Sequence, residues 1–92
     1  MTVLLKDALQ HYFKASGRER EFRLGAIQEV WEQVMDHRIQ SHATVIDFRQ
    51  DMITIRTSNA VWRNELSLQK MQIMELLNNE LHEIKIRDIR FK

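Results

Sequence analysis

The sequence predicts an α+β fold in which helices pack on one face of a three-stranded sheet, in the order α-α-β-β-α-β. Two observations carry this prediction. Apolar residues recur at helical spacing over 2–15, 22–40 and 60–80, whereas they alternate with polar residues over 43–58 and again near the C terminus. A length of 92 residues is that of one domain, so residues 1–92 are expected to share a single small core.

The first two helices are predicted from their apolar stripes. Residues 2–15 are expected to form one helix, which Thr2 can cap at its start and Gly17 can end. Residues 22–40 are expected to form a second, longer helix, in which Trp31 lies on the apolar stripe and belongs to the core.

A period of two predicts a β-hairpin with strands at 43–49 and 52–58, joined around Arg49-Gln50-Asp51. Ile46 and Phe48 are expected on the buried face. The opposite, solvated face is expected to carry Asp47, Arg49, Thr54 and Arg56.

Ser58 or Asn59 is expected to cap the third helix, over 60–80. Trp62 and Leu66 fall on its apolar face and are expected to anchor it to the core. The alternative for Trp62 is that its ring edge lines a binding groove, because aromatic rings stack on nucleic-acid bases where they are exposed.

The last predicted strand lies within residues 84–91. It contains two alternating pairs, Ile84 with Ile86 and Ile89 with Phe91, which are out of phase by one residue. Either a β-bulge reconciles the two pairs, or the strand is one of the two halves.

Composition excludes several classes of protein. The formal net charge is +1, from 14 basic and 13 acidic residues, so any anion binding must come from uneven placement of the charges. The sequence has no cysteine, which excludes disulfides and thiolate metal sites. No apolar run approaches the roughly 18 residues of a membrane span, so a cytoplasmic protein without membrane contact is expected.

No residue pattern indicates catalysis. Among the four histidines, His37 and His42 are close in sequence, but five residues separate them and no third ligand is nearby. There is no Gly-x-Ser-x-Gly motif, and neither Gly17 nor Gly25 belongs to a phosphate-binding loop. We therefore expect no enzyme activity, no metal and no cofactor.

The placement of the basic residues suggests a nucleic-acid site. They concentrate on the hairpin, the start of the third helix and the last strand, which are neighbours if that strand joins the sheet. The free amides at the start of the third helix add a modest anion site. The candidate site residues are Arg56, Ser58, Asn59, Arg63, Lys85, Arg87, Arg90 and Lys92. The alternative is that these charges are merely solvated.

A family resemblance supports this hypothesis. The residues that carry it are, in order, Trp31-x-x-Val34, His42, Ile53-x-Ile55, Ser58, Trp62-x-x-Glu65-Leu66, Leu77-Asn78, Leu81 and Asp88-Ile89-Arg90-Phe91. Together they resemble the DciA-like family of small bacterial proteins, over about residues 24–91.

The resemblance implies a KH-like domain of the second topological type, with one long helix in place of the usual helix pair and without a GXXG loop. It also implies binding of single-stranded DNA and loading of the replicative DNA helicase. The family often has glycine where this chain has Asp36 and Asp51, and we expect both to lie in turns. Family loaders often carry an additional tail that engages the helicase; this chain stops at Lys92, and we expect nucleic-acid binding without that tail.

Two other functions remain open on the sequence alone. One is a protein-interaction or homodimerisation module, in which Val61, Leu68 and Met71 form an apolar interface. The other is RNA binding by the same KH-like domain.

Overall fold

The computed structural model describes residues 5–15 and 17–92. Its helices are α1 (Leu5–Ala15), α2 (Glu19–Val34), α3 (His37–Gln40), α4 (Ala60–Leu68) and α5 (Lys70–Glu80), and its strands are β1 (Ala43–Arg49), β2 (Met52–Thr57) and β3 (Asp88–Phe91). The predicted α+β class and the packing of a three-stranded sheet on helices are confirmed, and the arrangement is compatible with a KH-like fold. The predicted Thr2 cap lies outside the described residues.

The sheet has the order β1-β2-β3, which places β2 in the centre. β1 and β2 are antiparallel, whereas β2 and β3 are parallel. A parallel pair needs a crossover connection, and α4 and α5 supply it. β3 begins beside Met52, at the hairpin end of β2, and ends beside Ile55.

The predicted hairpin is confirmed, and its turn consists of two residues. Gln50 and Asp51 have φ angles of 51° and 65°, while Arg49 pairs with Met52. Positive φ at both central residues gives the turn a twist that matches the twist of the two strands. The expectation that Asp51 lies in a turn is therefore confirmed.

The bulge lies in β1 rather than in the last strand. The register of β1 shifts between Val45 and Asp47, so that Ile46 is the extra residue. Val45 and Phe48 are both buried as a result, and Ile46 is only half-buried. The predicted burial of Phe48 is therefore confirmed, and that of Ile46 is wrong. At the C terminus, only the second half of the predicted strand, Asp88–Phe91, joins the sheet.

The predicted second helix is broken. α2 ends at Val34 and Met35 is extended, with φ −96° and ψ 143°. The Asp36 carboxylate then accepts a hydrogen bond from the Ile39 N–H at 2.9 Å and caps α3. Aspartate favours this capped conformation over a helix interior, because its short side chain hydrogen-bonds nearby backbone. Asp36 is therefore the extended N-cap residue between α2 and α3, and not a turn residue as expected.

The third predicted helix is also two helices. Gln69 has φ −104° and ψ 16°, and its N–H donates to the Leu66 carbonyl at 3.0 Å, which interrupts the α-helical pattern. The expectation of one long helix is therefore wrong. Neither glycine nor proline marks the break, so local sequence gives no warning of it.

The core lies between the sheet and the helices that cover one of its faces. α2 packs against β1 and α5, and Trp31 donates an indole hydrogen bond to the Ala43 carbonyl at 3.2 Å. The predicted core positions of Trp31 and Leu66 are confirmed. The buried residues of this core are Ile27, Trp31, Met35, Ala43, Val45, Phe48, Ile53, Ile55, Leu66, Ile73, Leu77, Ile86 and Ile89.

Candidate nucleic-acid interface

The sheet register places Arg56, Arg90 and Lys92 side by side on the face that points away from the helices. Arg90 pairs with Thr54, whose neighbours in β2 are buried, so Arg90 projects to the open face. The Lys92 N–H donates to the Ile55 carbonyl at 2.8 Å, which extends the ladder one residue beyond β3. Because side chains alternate, Arg56, Arg90 and Lys92 share that face, and adjacent strands lie about 5 Å apart.

Within residues 5–15 and 17–92, no carboxylate pairs with Arg56, Arg90 or Lys92. All three side chains are exposed. We call Arg56, Arg90 and Lys92 the cationic edge. Asp88 lies on the same face, two residues before Arg90, but it is paired with Lys70, so this edge is locally basic although the whole protein is nearly neutral.

The junction between β2 and α4 adjoins the cationic edge. Asn59, and not Ser58, caps α4: its side-chain oxygen accepts a hydrogen bond from the Trp62 N–H at 3.0 Å. Ser58 is tied to His42 instead, with its hydroxyl 2.8 Å from the imidazole Nδ1 and its N–H donating to the His42 carbonyl at 2.9 Å. Ser58 and Asn59 are both exposed. Of the two residues that the sequence offered as the cap, Asn59 is the one that caps α4.

Trp62 is half-buried, and the prediction of a core position is correct only in part. One side of the residue packs on the core, while its ring stacks on His42 with centroids 4.6 Å apart and planes inclined by 14°. The Arg38 guanidinium lies 5.9 Å from the indole centroid, within cation–π range. The sequence did not predict these contacts of Trp62 with His42 and Arg38, because both residues are about twenty or more positions away and no local periodicity links them to Trp62.

Arg63 belongs to a different surface from the cationic edge. It lines a groove between α4 and β3, together with Asn64, Lys70 and Phe91. Phe91 alternates with Arg90 along β3, so this groove lies on the helix side of the sheet. β3 is an edge strand, and it lies between this groove and the open face that carries Arg90.

Lys85 and Arg87 lie near the opposite end of β3. The Arg87 Nε is 3.2 Å from the Asp51 carboxylate, and its N–H donates to the Asp51 carbonyl at 2.8 Å. Lys85 is exposed in the segment that leads into β3. Four residues of strand span roughly 13 Å, so these two cations do not share one patch with Lys92.

A second ion pair closes the same end of β3. Lys70 Nζ lies 2.6 Å from the Asp88 carboxylate. The hydrogen bond from Lys70, followed by the one from the Ile89 N–H, holds the pKa of Asp88 below its ordinary value. In the part of the chain that the structure describes, no group of three or more histidine, cysteine, aspartate or glutamate side chains is placed to hold a metal, and no helix has the length and apolarity to cross a membrane.

A three-stranded sheet that helices cover on one face is compatible with the class of small KH-like α+β domains. The model of the family described as "Dna[CI] antecedent, DciA" matches residues 4–91, and the chain belongs to the DciA family. The match therefore includes α1, which the resemblance over residues 24–91 did not.

A curated relative agrees with this assignment. The UPF0232 protein BL0636 of Bifidobacterium longum is 31% identical over 68 residues. The aligned segment is 74% of this chain and 44% of that protein, so the chain spans less than half of the relative's length.

Proposed function

We propose that this chain is a non-enzymatic module that binds single-stranded DNA through the cationic edge and acts in DNA replication. The observation that carries the proposal is the convergence of Arg56, Arg90 and Lys92 on one open face, where no carboxylate of the described residues is paired with them. Membership of the DciA family supports the replication context, and that family is not one of known catalytic enzymes.

The arrangement suits contact with a phosphate backbone. Arg90 and Lys92 lie two residues apart along β3, which places their Cα atoms roughly 7 Å from each other in line with the strand. Contacts from arginine and lysine to phosphate oxygens carry no base information, so binding through such contacts is expected to depend little on sequence. The proposed contact surface also includes Ser58 and Asn59, at the junction that follows β2, and Arg63, in the neighbouring groove between α4 and β3.

The proposal includes a part in loading the replicative DNA helicase. The support for this partner is membership of the DciA family. Single-stranded DNA held at the cationic edge would then be presented to the helicase by a domain that itself carries out no reaction.

Fluorescence anisotropy tests the DNA proposal. A labelled oligodeoxythymidine is titrated with the protein at several salt concentrations, beside the RNA oligomer of the same length. For three phosphate contacts on a single strand, log affinity is expected to fall with log salt at a slope of about −2. The variant Arg56→Ala with Arg63→Ala is expected to bind more weakly and with a shallower slope.

The matched control is Arg18→Ala with Arg20→Ala, which removes two exposed arginines from the start of α2 and is expected to bind as the wild type does. Absence of binding at low salt would refute the proposal. Equal affinity of the Arg56/Arg63 variant would refute the assigned surface, and a preference for RNA would favour the RNA-binding alternative.

A protein-interaction or homodimerisation module is the second candidate. Val61, Leu68 and Met71 are 71%, 73% and 71% exposed on α4 and α5, as the sequence suggested. Light scattering after size exclusion tests it: a concentration-dependent dimer that Leu68→Ser dissociates supports this function, and a monomer at high concentration contradicts homodimerisation.

A further inference from the structure

A second surface, separate from the cationic edge, is apolar and open. A cavity of about 460 Å³ lies between α1, α2 and the segment that follows α5. Its apolar lining includes Leu9, Ala26, Val30, Leu81 and Ile84. None of the residues that line it belongs to the cationic edge, so the two surfaces are distinct.

The apolar lining continues onto the exposed side of α1. Leu5 and Tyr12 are 74% and 60% exposed, and Leu9, which lies between them, is 42% exposed. These residues recur at a spacing of three or four, so they form one stripe along the helix. A contiguous exposed apolar surface on a small protein commonly marks an interaction site.

The border of this groove is acidic. Glu29, Glu80 and Glu83 line it, and none of them forms an ion pair with a described residue. Arg23 also lines it, but its guanidinium is already hydrogen-bonded to the Glu19 carboxylate at 2.7 Å. The groove therefore presents uncompensated negative charge beside an apolar floor, which repels nucleic acid and attracts cations.

We propose that this groove binds a basic amphipathic helix of a protein partner. An amphipathic helix places apolar side chains in a groove at positions i, i+3, i+4 and i+7, while its polar face meets the groove border. Lysines or arginines on that polar face complement the three glutamates. The groove that would bind the partner helix is acidic and apolar, whereas the cationic edge that would bind DNA is basic. The two ligands therefore do not compete for the same charges.

The probe is a synthetic helical peptide of leucine and lysine with leucines at helical spacing, titrated into the ¹⁵N-labelled protein and followed by amide chemical shifts. Binding with shifts centred on Leu9, Ala26, Val30 and Ile84 is the expected result. The variant Glu29→Gln with Glu80→Gln and Glu83→Gln is expected to bind the peptide at least about tenfold more weakly, because charge pairing at an interface adds to apolar contact.

The matched control is Glu32→Gln with Glu75→Gln, which neutralises one exposed glutamate on α2 and one on α5, both outside the groove. It is expected to bind the peptide as the wild type does. Ala26→Arg, which places a cation in the groove itself, is expected to abolish binding, and circular dichroism confirms that each variant is folded.

Five outcomes would overturn the proposal, and four of them concern the peptide. They are no binding of the peptide, equal binding of a leucine–glutamate peptide, equal loss in the control variant, and shifts centred outside the groove. A dimer that Ala26→Arg dissociates would also overturn it, since the groove would then be an interface between two copies of this chain. Arg56→Ala with Arg90→Ala is expected to leave peptide binding unchanged, which separates this proposal from the DNA proposal.

Discussion

The two ends of the parallel pair β2–β3 differ in how their charges are satisfied. At the hairpin end, Arg87 pairs with Asp51 at 3.2 Å and Lys70 pairs with Asp88 at 2.6 Å. At the other end lies the cationic edge, whose charges have no acidic partner among the described residues. The same short strand thus has one end with paired charges and one end with unpaired charges.

This difference separates a structural role from a binding role. At the hairpin end, the Asn78 amide donates to the Ile86 carbonyl at 2.9 Å and accepts from the Ile86 N–H at 2.8 Å. Those contacts and the two ion pairs fix the entry of β3 into the sheet. The net charge of +1 hides this division, because it counts paired and unpaired cations alike.

Ile86→Ala is expected to have the largest effect on stability. Ile86 is fully buried at the hairpin end, and truncation of a buried isoleucine costs about 2–5 kcal/mol of unfolding free energy. Urea denaturation measures the loss. Ile84→Ala, at a half-buried position two residues earlier, is the control and is expected to cost less. Equal losses would show that Ile86 does not anchor this end of β3.

Asn78→Ala is expected to have an intermediate effect. It removes both hydrogen bonds to Ile86 and leaves that backbone without partners in a partly buried place, which costs about 1–3 kcal/mol. The adjacent, exposed Asn79 provides the control, since Asn79→Ala is expected to change the unfolding free energy by less than about 0.5 kcal/mol. Similar values for the two variants would contradict a specific role for Asn78.

Asp88→Asn is expected to have the smallest effect and to be visible in acid. The folded-state pKa of Asp88 lies below its ordinary value, so the pair with Lys70 stabilises the fold fully above roughly pH 4. That contribution is lost as the pH falls through the lower folded-state pKa. The wild type should therefore lose stability more steeply in this range than the variant, as measured by urea midpoints at each pH.

Lys70→Met serves as the partner control for that measurement. Because it removes the other half of the same ion pair, it should flatten the acid limb of the stability profile as Asp88→Asn does. The side chains of Lys70 and Asp88 are 39% and 53% exposed, so water and salt weaken the pair and the change near neutral pH should be small. Parallel profiles for the wild type and both variants would contradict the role given to this pair.

Much of the fold was predictable because its signals are local. The alternation that marks the hairpin and the capping preference of Asn59 both come from neighbouring residues. The breaks at Met35 and Gln69 were missed, since the apolar stripe runs through both positions without glycine or proline. The bulge at Ile46 was missed because its effect depends on pairing with β2.

The candidate site was less predictable than the fold. The sequence identified the basic residues, but the division between paired and unpaired cations depends on the parallel register of β3, which brings Arg87 to Asp51. The stacking of His42 on Trp62 likewise requires that the turn before β1 meet the start of α4. Contacts of this kind join distant residues and leave no mark in local periodicity. That the site residues bind nucleic acid stays a prediction.

The most direct test compares Arg90→Ala with Arg87→Ala in binding to labelled single-stranded DNA over a series of salt concentrations. Both variants remove one exposed arginine in or beside β3, but Arg90 forms no ion pair with a described residue, whereas Arg87 is paired with Asp51. Arg90→Ala is predicted to weaken binding and to reduce the salt slope by about 0.7, the value for one phosphate contact on a single strand. Arg87→Ala is predicted to leave affinity and slope unchanged, and an equal or larger loss in Arg87→Ala would contradict the assignment of DNA binding to the cationic edge.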